Sequence, residues 1–441
     1  MTELLYCGVP LGPRTTSLAL ANNPLVPACL PELPEDNLLL WVNLSDTAVE
    51  DITALRRARY LRRLLLRGTL VEDLRPLAAL TLLEDLILDD CPRLRDLRPL
   101  AKLANLRQLT FERTAVTDAS IVDELPMLHW VRFAIPPPGP FGWIRGAGIV
   151  NIVGRPVDDL GPLAEARRMT QLRAARSGVR DLSPLRRLEN LQMIDISHTR
   201  VRSLDPVSEI WNLRRLYIAH SDVEALGAAR HGIALVDLDA TGTRVDDLVE
   251  PPGWWMRSLR IGGTRIGPVP DLRACTRLRR LDISHLDHGD LGIIEGLRLR
   301  SLAFAHTAID DLSPVGPGNL TWLDTRWSHV RSLAPLQVHR GTLRHLAIDV
   351  DQAPSVAELR GMQLTHLTIE GRGTSSVVDA RWLCDLRHLE ELELVDGGRI
   401  DDVRRLNRLR NLRRLVVPRA TSPDALAALG RDRPGLAVEL V

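Results

Sequence analysis

Aromatic residues are scarce in this chain of 441 residues, where Phe, Trp and Tyr together make up 4% of the sequence. Hydrophobic residues nevertheless reach 45%, which is enough to bury a sizeable core. Because large rings are few, that core has to be filled by Leu, Val, Ile and Ala. The composition favours regular layers of aliphatic side chains and argues against general disorder.

Cysteine is also scarce, and its five copies are scattered without a Cys-x-x-Cys pair. An odd and dispersed set is not typical of a disulfide framework or of a zinc site. The positions are Cys7, Cys29, Cys91, Cys275 and Cys384. We therefore expect reduced thiols, as in a cytoplasmic protein, and no metal centre built on cysteine.

Long hydrophobic runs and an excess of charge of one sign are missing too. The densest apolar run, Leu38–Val42, is far shorter than the roughly 20 residues of a membrane-spanning helix. The first residues, MTELLYCGVPLGPRTTS, do not show the pattern of a signal peptide. With 57 basic and 56 acidic residues the formal net charge is +1, so no field of the whole chain attracts nucleic acid or an anionic membrane. We expect a cytoplasmic protein that binds neither.

A repeat dominates what is present. The pattern Leu-x-x-Leu-x-Leu, with other aliphatic residues as substitutes, recurs mostly every 21 to 23 residues. A fixed period in this range predicts a solenoid of leucine-rich repeats, with about 17 units. The units begin at Leu39, Leu61, Leu83, Leu106, Leu128, Met169, Leu191, Leu213, Ile233, Met256, Leu278, Leu299, Leu320, Leu343, Leu364, Leu389 and Leu412.

The second half of each unit has its own motif, Val/Ile-x-Asp-Leu-x-Pro-Leu. Val71–Leu77 and Val179–Leu185 are two examples. This half is too short for a long helix, and proline is well tolerated in the first turn of a helix because its missing N–H has no partner there. The motif therefore predicts a short 3₁₀ or α turn on the convex side of the solenoid.

These motifs resemble those of the bacterial internalin-like leucine-rich repeat proteins and of the 22-residue repeat class. The resemblance covers about residues 38–441 and implies an α/β solenoid whose parallel β-sheet lines the concave face. In that family a ladder of asparagines ties neighbouring loops together. Here the ladder position is filled by Thr or Ser, whose hydroxyl we expect to bond a neighbouring loop amide. The ladder residues are Thr47, Thr69, Thr114, Ser177, Thr199, Ser221, Thr241, Thr264, Thr307 and Ser328, with Cys91 in one unit.

Three segments interrupt the repeat. Residues 1–37 are rich in proline and carry no clean unit, so we expect an N-terminal cap before the repeats of residues 38–422. Residues 423–441 combine an Ala/Leu helix with an apolar strand and are expected to form a C-terminal cap. The segment 136–155 begins with Pro-Pro-Pro-Gly-Pro-Phe-Gly-Trp, and we expect it to leave the solenoid as an irregular insertion.

The solvent-facing columns of the sheet hold the candidate binding residues. Side chains alternate along a strand, so the third and fifth positions of each unit should line the concave face. Trp, Tyr and Arg, which are enriched at the hot spots of protein interfaces, recur there with Asp. The candidates on or beside this face are Trp130, Arg132, Arg173, Asp195, Arg215, Tyr217, Asp237, Arg260, Asp282, Trp322, Asp324 and Trp327.

Two other interpretations of these columns stay open. The Asp residues alternate with other types, so they lie roughly 10 Å apart, and interleaved arginines would make the face a solvated, salt-bridged sheet. A metal-dependent hydrolase is the second alternative, because Asp195 precedes His198 and Asp282 precedes His285 by three residues. A metal needs three or four convergent ligands, and parallel strands do not converge.

The sequence therefore predicts a non-enzymatic scaffold that binds a protein or peptide on its concave face, with no cofactor and no metal. No phosphate-binding loop, zinc-protease motif or nucleophile elbow supports catalysis. An alternative is a sensing or regulatory subunit of a bacterial complex that uses the 136–155 segment for partner contact.

Overall fold

The computed structural model describes residues 4–12, 14–116, 118–128, 130–133, 148–154, 157–226, 235–246, 248, 255–371, 377–396, 399–419 and 421–441. The chain forms two compact units. The first consists of Met1–Arg214 and Gly227–Ile233, and the second of Arg215–Leu226 and Ala234–Val441.

The first unit contains a short hairpin and two runs of parallel strands. The antiparallel hairpin consists of β1 (Leu4–Tyr6) and β2 (Val9–Leu11). One parallel sheet has the strand order β3 to β8, and a second run of parallel pairs joins β9, β10 and β11. Their bounds are β3 (Ser17–Ala19), β4 (Trp41–Asn43), β5 (Arg63–Leu65), β6 (Asp85–Ile87), β7 (Gln108–Phe111), β8 (Trp130–Phe133), β9 (Ile149–Asn151), β10 (Gln171–Arg173) and β11 (Met193–Asp195).

The second unit continues with parallel strands in chain order. Two short strands, β20 (Val377–Val378) and β22 (Arg399–Ile400), pair apart from the others, and two α-helices, α1 (Ala380–Leu383) and α2 (Pro423–Asp432), follow β20 and β23 in the sequence. The other strands are β12 (Arg215–Tyr217), β13 (Asp237–Asp239), β14 (Ser258–Arg260), β15 (Arg280–Asp282), β16 (Ser301–Ala303), β17 (Trp322–Asp324), β18 (His345–Asp349), β19 (His366–Glu370), β21 (Glu391–Val395), β23 (Arg414–Val417) and β24 (Ala437–Leu440).

Each repeat buries its consensus residues in a continuous aliphatic core. Leu64, Leu86 and Leu109 occupy the centres of β5, β6 and β7, pair in register and are 0% exposed. In the second unit Leu302 and Leu323 pair in the same way. Stacked strands about 4.8 Å apart bring equivalent leucines into contact, which explains why so few aromatic residues suffice. The predicted leucine-rich repeat fold is confirmed.

The proline-containing half of the repeat forms the predicted short turns. Asp73 Oδ1 accepts the backbone N–H of Arg75 at 2.9 Å, and Asp181 Oδ1 accepts that of Ser183 at 2.8 Å, so the aspartate of the motif closes the start of the turn. The 3₁₀ helices that carry proline in their first turn span Arg75–Ala79, Arg98–Lys102, Gly161–Glu165, Ser183–Leu185, Asp205–Val207, Ala334–His339 and Ala353–Leu359.

The Thr and Ser hydroxyls of the ladder bond carbonyls of their own repeats, whereas Cys91 Sγ bonds the Leu66 carbonyl of the preceding repeat at 3.1 Å. Thr69 Oγ1 donates to the carbonyl oxygen of Leu66 at 2.7 Å, and the equivalent hydroxyls also bond the carbonyl three residues earlier. The expected bond to a neighbouring loop amide is wrong. Those amides are already paired with carbonyls of the next repeat, as the Gly68 N–H is with the Asp89 carbonyl at 2.9 Å.

Asparagines placed just before the first leucine of a unit also tie neighbouring repeats together. Each donates its side-chain amide to a backbone carbonyl of the preceding unit, at 2.8 to 2.9 Å. These residues are Asn105, Asn190, Asn212 and Asn411. These four bonds lie at a position of the repeat different from that of the ladder in the family resemblance.

The repeat that was placed at Ile233 begins two residues later. Leu238 is buried in the middle of β13, where Asp237 is the first residue and Asp239 the third. The assignment of Asp237 to the fifth column is therefore wrong, and Asp239 takes that place. Several apolar residues adjoin one another around position 235, so the repeat pattern can begin at residue 233 or at residue 235. The burial of Leu238 shows that it begins at residue 235.

The same shift corrects the ladder. Thr243, which is 4% exposed, donates its hydroxyl to the Ala240 carbonyl at 2.7 Å. Thr241, which had been assigned to the ladder, bonds Asp239 Oδ1 with its hydroxyl at 2.7 Å.

Part of the expected insertion is a regular strand. Ile149–Asn151 pair in parallel with β10 in register, because Val150 and Ile152 alternate into the core with 0% exposure. The expectation that this stretch leaves the solenoid is wrong for residues 149–151. The rest of the segment, 136–147 and 155, lies outside the described residues.

Both segments assigned as caps add a strand to a sheet. β3 pairs with β4 in parallel and lies in the 1–37 segment, where the sequence analysis assigned no strand. At the other end α2 is followed by β24, which pairs with β23.

Candidate functional site

The first and third residues of each strand project opposite the buried middle residue. We call the surface they form, together with the fifth residues of the longer strands, the open face. Its positions are those that the repeat pattern predicts to face solvent. The predicted candidates at such positions are Trp130, Arg132, Arg173, Asp195, Arg215, Tyr217, Asp237, Arg260, Asp282, Trp322 and Asp324. Trp327 lies in the turn after β17, and the side chain of Arg132 is outside the described part of the structure.

The alternating aspartates of the open face close the ends of their strands. In each case Oδ1 accepts the backbone N–H two residues later, an arrangement that forms a local turn. The pairs are Asp195 with Ser197 at 3.1 Å, Asp239 with Thr241 at 3.1 Å, Asp282 with Ser284 at 3.0 Å and Asp324 with Arg326 at 3.1 Å. These carboxylates thus have a structural task in the repeat.

One interleaved arginine neutralises its neighbour as the salt-bridged interpretation predicts. Arg260 NH1 lies 3.1 Å from Asp239 Oδ2 on the adjacent strand. The exposed guanidinium makes this a surface pair of small energetic value.

The recurring histidines occupy a turn position with positive φ. This left-handed region is favoured by glycine and, among other residues, by Asn, Asp and His. Gly242 and Gly263 hold the same position in two further repeats, at 66° and 67°. The histidines are His198 at 56°, His220 at 53°, His285 at 59° and His306 at 56°. Turn geometry therefore accounts for their recurrence.

Three of these turn residues in the second unit stack. The rings of His285 and His306 have centroids 4.2 Å apart, and those of His306 and Trp327 lie 5.6 Å apart. Burial and the neighbouring His285 lower the pKa of His306. Trp327 has φ 58°, which is unusual for so bulky a side chain.

A polar network holds Trp327 in place. Its Nε1 donates to Glu370 Oε1 at 2.7 Å, and its backbone N–H donates to Asp349 Oδ2 at 3.0 Å. Arg326 binds the other oxygen of Glu370 at 2.9 Å and both oxygens of Asp324, at 3.0 and 2.8 Å. The network connects β17, β18 and β19 and fixes the side chains at the ends of these strands.

A depression of about 220 Å³ lies beside this network on the open face of β17, β18, β19 and β21. We call it the face pocket. It exists because Ala347 and Thr368 have short side chains between longer neighbours. Its lining residues are Trp322, His345, Leu346, Ala347, His366, Leu367, Thr368, Glu391 and Glu393.

The imidazoles of His345 and His366 form one wall of the face pocket. Their centroids are 4.1 Å apart and their planes are inclined by 23°. Burial lowers the pKa of His345, and the adjacent His366 lowers it further. Trp322, which is 36% exposed, lies on the next strand in register with His345. Three planar rings thus follow one another along the pocket.

Carboxylates form the β21 end of the face pocket. Arg414 NH1 bonds Glu393 Oε1 at 2.6 Å and lies 3.5 Å from Glu391 Oε2, while its NH2 binds Glu439 at 2.9 Å. Glu391 also lies 3.6 Å from His366 Nε2. Three carboxylates therefore share one guanidinium.

The structure brings only Trp322 of the predicted residues into the face pocket. The other candidates are spread over different strands of the two units. His345 and His366, which line the face pocket, are not among the residues predicted from the sequence. The sequence feature that distinguishes this region is a longer alternation of apolar residues, as in His-Leu-Ala-Ile-Asp at 345–349, which predicts longer strands.

No group of three or more His, Cys, Asp or Glu side chains in the described ranges is arranged to hold a metal ion. None of the helices that the structure describes has the length and apolar character needed to cross a membrane.

Comparison with known proteins finds similar chains among solved structures, all at low sequence identity. No protein-family model and no curated protein sequence matches the chain. Among solved structures, an internalin from Listeria monocytogenes is 17% identical, with 85% of each chain covered and a TM-score of 0.36. A plant peptide hormone receptor in complex with the peptide RGF2 is 13% identical, covering 93% of this chain and 84% of that one, with a TM-score of 0.49. The complex of TLR13 with single-stranded RNA is 14% identical, covering 96% and 81%, with a TM-score of 0.48.

Proposed function

We propose that this chain is a non-enzymatic recognition protein that binds a peptide segment of a partner protein along the open face of its second unit. The observation that carries the proposal is the face pocket. Its volume of about 220 Å³ suits a single side chain, whereas small-molecule sites usually enclose about 300–1,000 Å³. A pocket for one side chain on an extended strand surface fits an extended peptide better than a free metabolite.

The walls of the face pocket support recognition of a protein chain. A half-exposed indole, two stacked imidazoles and fixed carboxylates provide apolar contact and hydrogen bonding within one site. Aromatic residues at the centre of an interface carry much of the binding energy. The open-face aspartates are occupied as strand caps, so the hydrolase alternative gains no support from their geometry.

Peptide display tests this proposal without knowledge of the partner. A library of random peptides of about 12 residues is selected on the full chain. It is then counter-selected on Thr368→Trp, whose indole fills the depression. Gln171→Trp places the same side chain at a half-exposed open-face position of β10 and serves as the matched control. We expect peptides that bind the wild type and the control but lose binding to Thr368→Trp. If selected peptides bind all three equally, the face pocket is not the recognition site.

The regulatory alternative that uses residues 136–155 stays a prediction. Only 148–154 of that segment is described, and its residues 149–151 pair with β10 in the sheet.

A further inference from the structure

The end of the open face that contains the face pocket is rich in carboxylates. From β17 to β24 the open-face positions carry acidic residues on nearly every strand, whereas only Arg326, just after β17, and Arg414 lie among them. The acidic residues are Glu370, Glu391, Glu393 and Glu439, together with Asp324 and Asp349, which are buried at 5% and 0% exposure. The earlier strands β12 to β15 are balanced, since they pair aspartates with Arg215, Arg260 and Arg280. The negative charge is therefore local to this end of the face.

The carboxylates at the pocket already hold a guanidinium. Arg414 contacts Glu391 and Glu393, two residues apart on β21, and also Glu439 on β24. Because three carboxylates share one positive group, the site keeps a surplus of negative charge toward the pocket. A second cation of the same shape would reduce this surplus, with charge-assisted hydrogen bonds to the carboxylate oxygens.

The ring wall favours a planar cation. Guanidinium groups stack on aromatic faces and bind carboxylates with a flat fork, whereas the ammonium of lysine is a compact and strongly hydrated charge. Trp322, His345 and His366 present consecutive rings in register on β17, β18 and β19. Ala347 and Thr368 leave the space beside these rings that the stem of a long side chain needs.

Other side chains fit this environment less well. An acidic group would face carboxylates of the same sign, and a purely apolar group would take Glu391 and Glu393 out of water without adding a cation to the Arg414 that they share. An arginine satisfies both the charge and the planar walls.

We infer that the face pocket binds an arginine side chain of the partner, with its guanidinium at Glu391 and Glu393 and its stem over Ala347 and Thr368 beside the rings. This inference rests on the proposed function, because it names the side chain that the peptide site selects.

Sequencing of the pocket-dependent peptides tests the inference. We expect arginine to be enriched at one position of the peptides that bind wild type and lose binding to Thr368→Trp. If pocket-dependent peptides are obtained without arginine enrichment, the inference is wrong while the proposed function stands. If no pocket-dependent peptide is obtained, the proposed function itself fails.

A charge-neutral analogue gives the second arm. The selected peptide is synthesised with arginine, with lysine and with citrulline, which keeps the shape of arginine but not its charge. We expect citrulline to bind the wild type at least tenfold more weakly than arginine, and lysine to fall between them. In Glu391→Gln/Glu393→Gln the difference between arginine and citrulline should shrink to less than threefold. An unchanged difference in that variant, or equal binding of arginine and citrulline to the wild type, overturns the inference. The isosteric glutamines also serve for counter-selection if circular dichroism shows that Thr368→Trp does not fold.

Discussion

The imidazole rings of His345 and His366 stack with their centroids 4.1 Å apart. This contact joins two adjacent strands at the wall of the face pocket and places two titratable groups where both cannot easily be charged. Burial and the neighbouring ring keep the pKa of His345 below its ordinary value. The lowered pKa favours the neutral form of the His345 ring, which a cation can approach.

Acidification should weaken binding of an arginine-containing peptide. A histidine titrates near pH 6.5 when unperturbed, and the lowered pKa of His345 moves its protonation further toward acid. Protonation adds positive charge beside the guanidinium, opposite the carboxylate of Glu391 on β21. We expect constant affinity between pH 7 and 8 and a decline of at least threefold by about pH 5, measured by titration calorimetry. His345→Gln/His366→Gln should show a flatter profile, and an equally steep decline in that variant would exclude the histidine pair as the cause.

The register of β13 can be tested by a pair of alanine substitutions. Asp239 caps its strand end through Thr241 and pairs with Arg260, whereas Asp237 is half-buried on the open face. Loss of the cap should reduce the free energy of unfolding by about 1 kcal/mol for Asp239→Ala. Asp237→Ala should change it by less than about 0.5 kcal/mol. Urea denaturation of the two variants measures both, and the reverse order would contradict the register.

The hydroxyl ladder should contribute to stability through its bond to a carbonyl of the same repeat. Thr69 is fully buried and donates to the Leu66 carbonyl at 2.7 Å. Thr69→Val keeps the shape but removes the donor, so we expect a loss of about 1 kcal/mol in the free energy of unfolding. Thr69→Ser keeps the donor and should preserve the bond. If Thr69→Val unfolds with the same free energy as the wild type, the hydroxyl bond to the Leu66 carbonyl does not stabilise the fold.

His339 should make stability depend on pH. It is 2% exposed, and burial lowers its pKa in the folded chain. Below about pH 6.5 the unfolded state therefore binds more protons at this site than the folded state. The stabilisation is fully present above that pH and is lost as the pH falls toward the folded pKa. We expect the free energy of unfolding to decrease from pH 7.5 to 5.5 less steeply in His339→Leu than in the wild type. Parallel profiles would show that His339 does not contribute.

The fold could be predicted from the sequence because each layer of the core repeats the same leucine pattern. The positions of Trp322 and Asp324 on the open face follow from that period. The frame at Asp237 could not be predicted, since adjacent apolar residues allow two registers and only the burial of Leu238 selects one. The strand at Ile149 could not be predicted because the proline-rich stretch before it interrupts the repeat period.

The face pocket could not be read from the columns for a different reason. It arises because Ala347 and Thr368 have short side chains, and two short side chains do not form a recognisable sequence motif. Its carboxylates depend on contacts between strands that lie 21 and 25 residues apart in the sequence, as Arg414 makes with Glu393 and Glu439. Such a cluster becomes visible only when the strands are placed in register.

The affinity of a selected peptide for the wild type and for Thr368→Trp tests the central claim most directly. Titration calorimetry at pH 7.5, with Gln171→Trp as control, measures whether the face pocket on β17 to β21 is where a partner chain binds. The account predicts one binding site, equal affinity in wild type and Gln171→Trp, and at least tenfold weaker binding in Thr368→Trp. Equal affinity in all three proteins would contradict it.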